Sequence, residues 1–186
     1  MNKDQKNQLR KRLTLIRDAI NEQRRRSAAC HLYDKITDWC GSIEKVLSYA
    51  SFRSELDTAD LNFYLADQER LVLPRLSRDQ KTPWEASLYL VRNPFKDLIS
   101  NPLGIQEPNP DTCPLVAIEE IGLALVPGLG FDMQRQRIGY GKGTYDRLLA
   151  GTAGLETVGV GYREQLLATP IPVESHDVSL SSLLLL

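Results

Sequence analysis

Apolar positions change their period along this chain, and the changes divide it into elements. Leu9, Leu13, Ile16 and Ile20 recur at three- and four-residue spacing, which predicts an amphipathic helix with Lys6, Arg10 and Arg17 together on a neighbouring face. Ala29, Leu32, Tyr33, Ile36 and Trp39 or Cys40 repeat that spacing up to Gly41, a second helix with a glycine stop. After this the runs become short and continuous. "KVLSYAS" reads as a buried strand, "DTADLNFYLAD" as a short helix capped by Asp57 or Thr58, and "RLVLPRL" as a strand interrupted at Pro74, which makes a β-α-β unit.

The remainder continues the alternation. "ASLYLVR" is a further strand, residues 93–114 form a long proline-rich surface loop, and "IGLALVP" resumes as a buried strand. A glycine-rich stretch follows, then a helix opening near Thr144 through "YDRLLA", a strand at "TVGVGY", a helical turn at "REQLLA" and a tail. Strands alternating with helices predict an α/β fold, a single layered domain over residues 1–186 with a mainly parallel central sheet flanked by helices. Ligands are expected beyond the carboxyl ends of the strands.

Composition narrows the function classes. A chain of 186 residues holds one sizeable core and is short for two. Residues 1–26 carry nine Lys/Arg against Asp4, Asp18 and Glu22, whereas the rest holds fourteen basic and twenty-one acidic side chains. A basic arm on an acidic body suits an anionic partner, and it equally suits a solvated helix face. Cys30, Cys40 and Cys113 have neither metal-ligand spacing nor an even count, so a reducing, cytoplasmic setting is expected. "MNKDQKNQLRKR" lacks the apolar core of a secretory signal, and no window approaches the ~20 apolar residues of a membrane span.

The chemistry concentrates in "GLGFDMQRQRIGYGKGTYDR", residues 128–147, which places five glycines beside three arginines, Lys142 and two aspartates. Gly139, Gly141 and Gly143 precede a helix, where bare backbone lets N–H groups approach an anion closely. With Arg137 and Lys142 among them, the stretch reads as a phosphate cradle; a glycine-rich hairpin loop is the alternative. It is neither a Walker A loop, since Gly143 and not Ser or Thr follows Lys142, nor a dinucleotide fingerprint.

"VPGLGFDMQRQRIGYGKGTYDR" also resembles the signature of the 5-formyltetrahydrofolate cyclo-ligase (methenyltetrahydrofolate synthetase) family. "KNQLRKRL" is similar to that family's Lys-x-x-x-Arg helix, "SELDTADL" to its glutamate-containing turn, "NPLGIQEP" to its loop before the last large strand, and "YREQLLATPIPVESHDVSL" to its closing segment. The resemblance spans nearly the whole chain. It implies an ATP- and magnesium-dependent closure of 5-formyltetrahydrofolate, with or without a polyglutamate tail, to 5,10-methenyltetrahydrofolate, releasing ADP and phosphate. The γ-phosphoryl group passes to the formyl oxygen in that reaction, and N10 then attacks the activated carbon.

By position, the resemblance implies that Lys6 and Arg10 grip the ATP phosphates. Arg137, Gly139, Tyr140, Gly141, Lys142, Gly143, Thr144 and Tyr145 would wrap the nucleotide, with Lys142 and Arg137 stabilising charge in the reaction. Ala50, Glu55 and residues Tyr140, Gly141, Lys142, Gly143 and Thr144 would border the folate, Glu55 accepting hydrogen bonds from the pterin ring. Asp146 and Asp177 match its magnesium ligands, while His176 has no role there and is read as surface. Thr144 stands where the family commonly has an aromatic, "MQRQR" lacks a glycine often found before the arginine, and the tail "SLSSLLLL" lacks the usual acidic ending. A monomer with no nucleic-acid or membrane partner is expected. Two alternatives stay open: another nucleotide-dependent small-molecule kinase or ligase on this fold, and nucleic-acid binding by the basic first helix.

Overall fold

The computed structural model describes residues 3–77, 85–152, 154–174 and 176–186. In chain order it contains α1 (Lys3–Asp18), α2 (Glu22–Trp39), β1 (Val46–Leu47), α3 (Ala59–Asp67), β2 (Leu71–Leu76), β3 (Ala86–Leu90), α4 (Pro94–Asp97), β4 (Leu98–Ser100), β5 (Gln106–Pro108), β6 (Leu115–Val116), β7 (Leu123–Pro127), β8 (Gly130–Asp132), β9 (Arg137–Ile138), α5 (Thr144–Leu148), β10 (Glu156–Gly161), β11 (Leu166–Leu167) and β12 (Ser182–Leu185).

One seven-stranded sheet runs in the order β12-β10-β7-β1-β2-β3-β6. Pairings from β12 through β2 are parallel, and those of β3 with β2 and β6 are antiparallel. The mainly parallel α/β layering expected from the sequence is therefore present, built on a β1-α3-β2 unit whose register sets Val46 opposite Leu71. Its strands show why a parallel sheet needs apolar side chains on both faces. Val46, Leu71, Leu73, Leu123, Leu125, Val158 and Val160 face α2 and α3, whereas Leu47, Val72, Ala124 and Val126 face Phe131, Leu149 and Leu180. The second face is covered mostly by turns, a short hairpin and α5 rather than by long helices.

Several local expectations are corrected. The strand read at 45–51 is only Val46–Leu47, because beyond it the chain turns to side-chain partners: Ser48 donates to Asn62 at 2.7 Å, and Thr58 and Asn62 both donate to the Tyr49 carbonyl. Ala28, rather than Ala29, takes the inner stripe of α2, and Trp39 stays partly exposed. Asp57, not Thr58, caps the first turn of α3, its carboxylate accepting the Ala59 N–H at 2.9 Å. The loop 93–114 holds α4 and the β4–β5 hairpin, started by Asn93, whose side chain accepts the Phe95 N–H. "REQLLA" is a 3-10 turn at Arg163–Gln165 followed by β11, which pairs with β8.

The largest difference lies in the tail. "SLLL" forms β12, parallel to β10 with Gly159 opposite Leu183, and completes the sheet at that edge. Its short leucine run has neither strand alternation nor a turn signal, so only the waiting edge of β10 reveals it. Gly159 and Gly161 mark that edge from within: a β-carbon on either would come within 3.0 Å of the Phe131 ring, which packs against the strand.

Candidate functional site

In open parallel sheets ligands bind where neighbouring connections leave in opposite directions. Here that switch lies at β1, whose chain continues to β2 on one side while β7 occupies the other. Beyond β1 comes the turn that holds Ala50 and Glu55; beyond β7 come Gly128 and the glycine-rich stretch. Two segments about seventy residues apart in sequence are thus delivered to one crevice, and α1 lies across it.

The side chains of α1 make the connection. Arg10 donates from Nε to the Gly139 carbonyl at 3.0 Å and from Nη1 to Asn7. Lys6 pairs with Glu174 and lies 4.0 Å from Asp177. Arg17, only 1% exposed, donates to Ser54 Oγ at 3.1 Å, to the Gly128 carbonyl at 3.3 Å and to the Tyr140 hydroxyl at 2.5 Å, and its Nη1 stands 3.8 Å from Glu55. An open cleft of ≈ 850 Å³ runs along the outer side, between Asn7, Arg10, Lys11 and Thr14 of α1 and Leu129 and Tyr140.

The glycine-rich stretch is a hairpin and a cradle in succession. β8 and β9 pair antiparallel, and buried Asp132 fastens their turn by accepting the N–H groups of Gln134 and Gln136 on one oxygen and of Ile171 on the other. The chain then opens through Gly139, Gly141 and Gly143. Gly141 and Gly143 have φ of +86° and +64°, a region that side chains rarely enter, and a β-carbon on Gly141 would stand 2.9 Å from Arg10 Cζ. α5 spans five residues, shorter than the expected run to Ala150, so anion attraction here rests on the cationic side chains and bare backbone more than on a helix dipole.

The expected site residues fall in one region with distinct local partners. Arg137 is nearly buried; it donates to Asp146 at 3.0 Å, and its guanidinium lies 5.5 Å from the Tyr145 ring centre. Lys142 is exposed, with its carbonyl taking a hydrogen bond from Arg147. Thr144 opens α5 half-buried, Tyr140 is half-exposed, and Ala50 is partly buried at the end of the β1 segment. Asp177 accepts the Glu174 N–H at 2.8 Å, and His176 is exposed beside it.

Glu55 is no surface acid. Its carboxylate accepts the Phe52 N–H at 3.0 Å, and burial pushes its pKa above the ordinary 4.5, against the lowering influence of Phe52 and Arg17. Burial and then Glu55 itself push the Tyr145 phenol well above its usual value, and Tyr49 is raised by the same two causes. Glu174 is held below the ordinary carboxylate value by its hydrogen bond to Lys6.

Asp146 and Asp177 are hard oxygen donors, each beside a cation. Among the described residues no group of three or more His, Cys, Asp or Glu side chains forms a metal cage. Oxygen donors of this kind are what magnesium commonly takes, one or two carboxylates with its remaining positions filled by phosphate oxygens and water.

Arg17 is the contributor that sequence reasoning placed on the right helix face without assigning to the site. The signal was its position seven residues after Arg10 on one stripe; its burial could not be seen. Three other cations of the arm are engaged within the molecule. Arg24 pairs with Glu164, Arg25 donates to the carbonyls of Ile20, Arg17 and Asp18, and Arg26 pairs with Glu22, which weakens the nucleic-acid alternative. No helix among the described residues is long and apolar enough to cross a membrane.

Comparison with known proteins points the same way throughout. A family model described as the 5-formyltetrahydrofolate cyclo-ligase family matches residues 2–185. The 5-formyltetrahydrofolate cyclo-ligase of Escherichia coli (strain K12) is 34% identical over 139 residues, covering 73% of this chain and 74% of that protein. Its counterpart in Mycolicibacterium smegmatis is 30% identical over 179 residues, covering 96% and 92%. The NMR structure of Aquifex aeolicus 5,10-methenyltetrahydrofolate synthetase shares the fold with a TM-score of 0.81 at 30% identity, covering 96% of this chain and 88% of that one.

Proposed function

The chain belongs to the 5-formyltetrahydrofolate cyclo-ligase family, enzymes of folate metabolism, and on that footing we propose that it closes 5-formyltetrahydrofolate to 5,10-methenyltetrahydrofolate at the expense of ATP. The observation that carries the reading is the convergence at the switch point: a largely buried carboxylate, Glu55, on one side and a cation-lined glycine loop on the other, spanned by α1. A largely buried carboxylate accepts the paired N–H groups of a pterin ring, and the glycine loop accepts the phosphates.

In the proposed reaction the γ-phosphoryl group moves from ATP to the formyl oxygen and leaves ADP, N10 attacks the activated carbon, and phosphate departs with that oxygen. Phosphoryl transfer asks chiefly for positioning and for stabilisation of negative charge spread over the transferred group. Lys6 and Arg10, on one face of α1, hold phosphate oxygens from one side. Lys142 and Arg137 stabilise the charge that develops at the transferred group, and Gly139, Gly141 and Gly143 let the backbone approach it. Tyr140, Tyr145 and Thr144 flank the nucleotide, while Ala50 and Glu55 bound the folate. Asp146 and Asp177 would hold a magnesium ion, which neutralises phosphate charge. Burial raises the pKa of Glu55 above the ordinary 4.5, so protonation of this acceptor sets in at a higher pH than for a solvated carboxylate.

A spectrophotometric assay for the methenyl product, run with and without ATP and magnesium, tests the reading. Product that appears only with both supports it. ATP turnover independent of folate points instead to a small-molecule kinase, and no product under any condition removes the assignment.

A further inference from the structure

We propose that Arg17 is a positioning residue that ties the folate-facing turn to the nucleotide loop, so that occupation of one site pre-orders the other. The inference rests on the reaction assigned above and goes beyond it, since Arg17 is not among the residues that the resemblance brings to either ligand.

Its geometry is that of a hub. A guanidinium offers five N–H donors in a rigid fork. Here Nε reaches Ser54, next to Glu55 in the turn after β1; Nη1 reaches the Gly128 carbonyl, where β7 ends; and Nη2 reaches the Tyr140 hydroxyl in the glycine loop. Each arm ends on a different segment of the crevice. Ser54 passes the connection on to Asp18, and the Arg17 carbon Cζ lies 5.7 Å from the Tyr140 ring centre. Burying an ion is costly, and a strut with no other task is served as well by an apolar side chain of similar volume. The arm to Tyr140 is informative in this respect, because it leads from a fully buried charge to a half-exposed side chain on the loop that faces the nucleotide.

A planar fork cannot shift one arm without shifting the others. A ligand that fixes Tyr140 therefore fixes the guanidinium and, through Ser54, the turn that carries Glu55. The second ligand then meets a site already ordered, which appears as tighter binding.

The test is calorimetric titration of 5-formyltetrahydrofolate into the full chain, with and without a non-hydrolysable ATP analogue and magnesium. The ratio of the two affinities measures the linkage and is expected at about fivefold or more in the native protein. Ser54→Ala removes the acceptor on the folate side and Tyr140→Phe the acceptor on the nucleotide side, both leaving the Arg17 charge and the apolar core in place. Each lowers the ratio, and the double variant lowers it no further than the more affected single one, because both act on one group. Arg17→Lys keeps the charge without the fork and reproduces the loss. A ratio unchanged in both single variants, losses that multiply in the double variant, or a ratio of one in the native chain overturns the proposal. Turnover of the native chain separates the two levels: methenyl product with a ratio of one removes the linkage alone, whereas no product removes the assigned reaction and the linkage with it.

Discussion

Glu55→Gln separates charge from shape at the folate end of the crevice. Glutamine keeps the length of the side chain and an oxygen able to accept the Phe52 N–H, and it loses the negative charge offered to the pterin. Hydrogen bonds to a charged group contribute about 1.5–3 kcal/mol, so the variant should bind 5-formyltetrahydrofolate roughly 10- to 150-fold more weakly at neutral pH. Stability should move the other way or not at all. The folded-state pKa of Glu55 is raised, so its contribution is fully present below the ordinary 4.5 and is lost as the pH rises through the folded value. Above the folded-state pKa the ionised side chain thus costs stability relative to a neutral isostere. The Tm of the variant should equal or exceed that of the native chain near pH 7, with the difference vanishing below 4.5. Native folate affinity should weaken on acidification at a pH above 4.5, and the variant should lack this limb. Calorimetry for each ligand and thermal melts across pH provide the readings. Unchanged folate affinity would refute the pterin assignment, and a parallel loss of ATP affinity, folate affinity and Tm would show that Glu55 only supports the fold.

Other perturbations address the nucleotide side. Lys142→Ala should lower kcat on the order of 10²-fold, the usual loss for one preorganised charge-stabilising donor, as steady-state kinetics would show; Asp146→Asn should mainly raise the magnesium concentration needed for half-maximal rate. Gly141→Ala forces a β-carbon into a φ of +86° and against Arg10, which should lower stability by about 1–2 kcal/mol and raise the KM for ATP; an unchanged Tm and KM would mean that the loop relaxes freely. Thr144→Tyr should restore ring area beside Tyr145 and lower the KM for ATP or folate about threefold to tenfold, as ~0.5–1.5 kcal/mol of aromatic packing does. A stable Thr144→Tyr protein with neither KM lowered would show a pocket rebuilt around threonine.

What could be read beforehand follows from the range of the interactions. Helical periodicity placed α1 and α2, and short continuous apolar runs placed β2, β7 and β10, because burial stamps a local pattern on each. β12 escaped because its partner is fixed by register with Gly159 and Val160 rather than by its own sequence. The glycine loop announced itself through residues that need bare backbone, and Lys6 and Arg10 through their shared helix face. Arg17 did not, since Leu, Arg or Lys at that spacing looks alike until Ser54, Gly128 and Tyr140 are brought around it. Glu55 resembled a capping acid for the same reason: its burial is created by Arg17 and by tyrosines from distant segments.

The footing of α1 sets how the crevice opens. Leu9, Leu13 and Ile16 do not join the large clusters on either sheet face; they pack with Leu129, Ile138, Leu167 and Ile171 in a small separate core. Segments held by few apolar contacts exchange their amide hydrogens through partial openings well below the energy of global unfolding. α1 therefore forms a unit that can detach while the seven-stranded sheet, and the β8–β9 hairpin anchored on it through Phe131, stay intact. Amide exchange in α1 should proceed by this local route in the free chain and slow when phosphates bridge Lys6 and Arg10 to the glycine loop, turning the first helix into a latch whose protection reports occupancy of the nucleotide site.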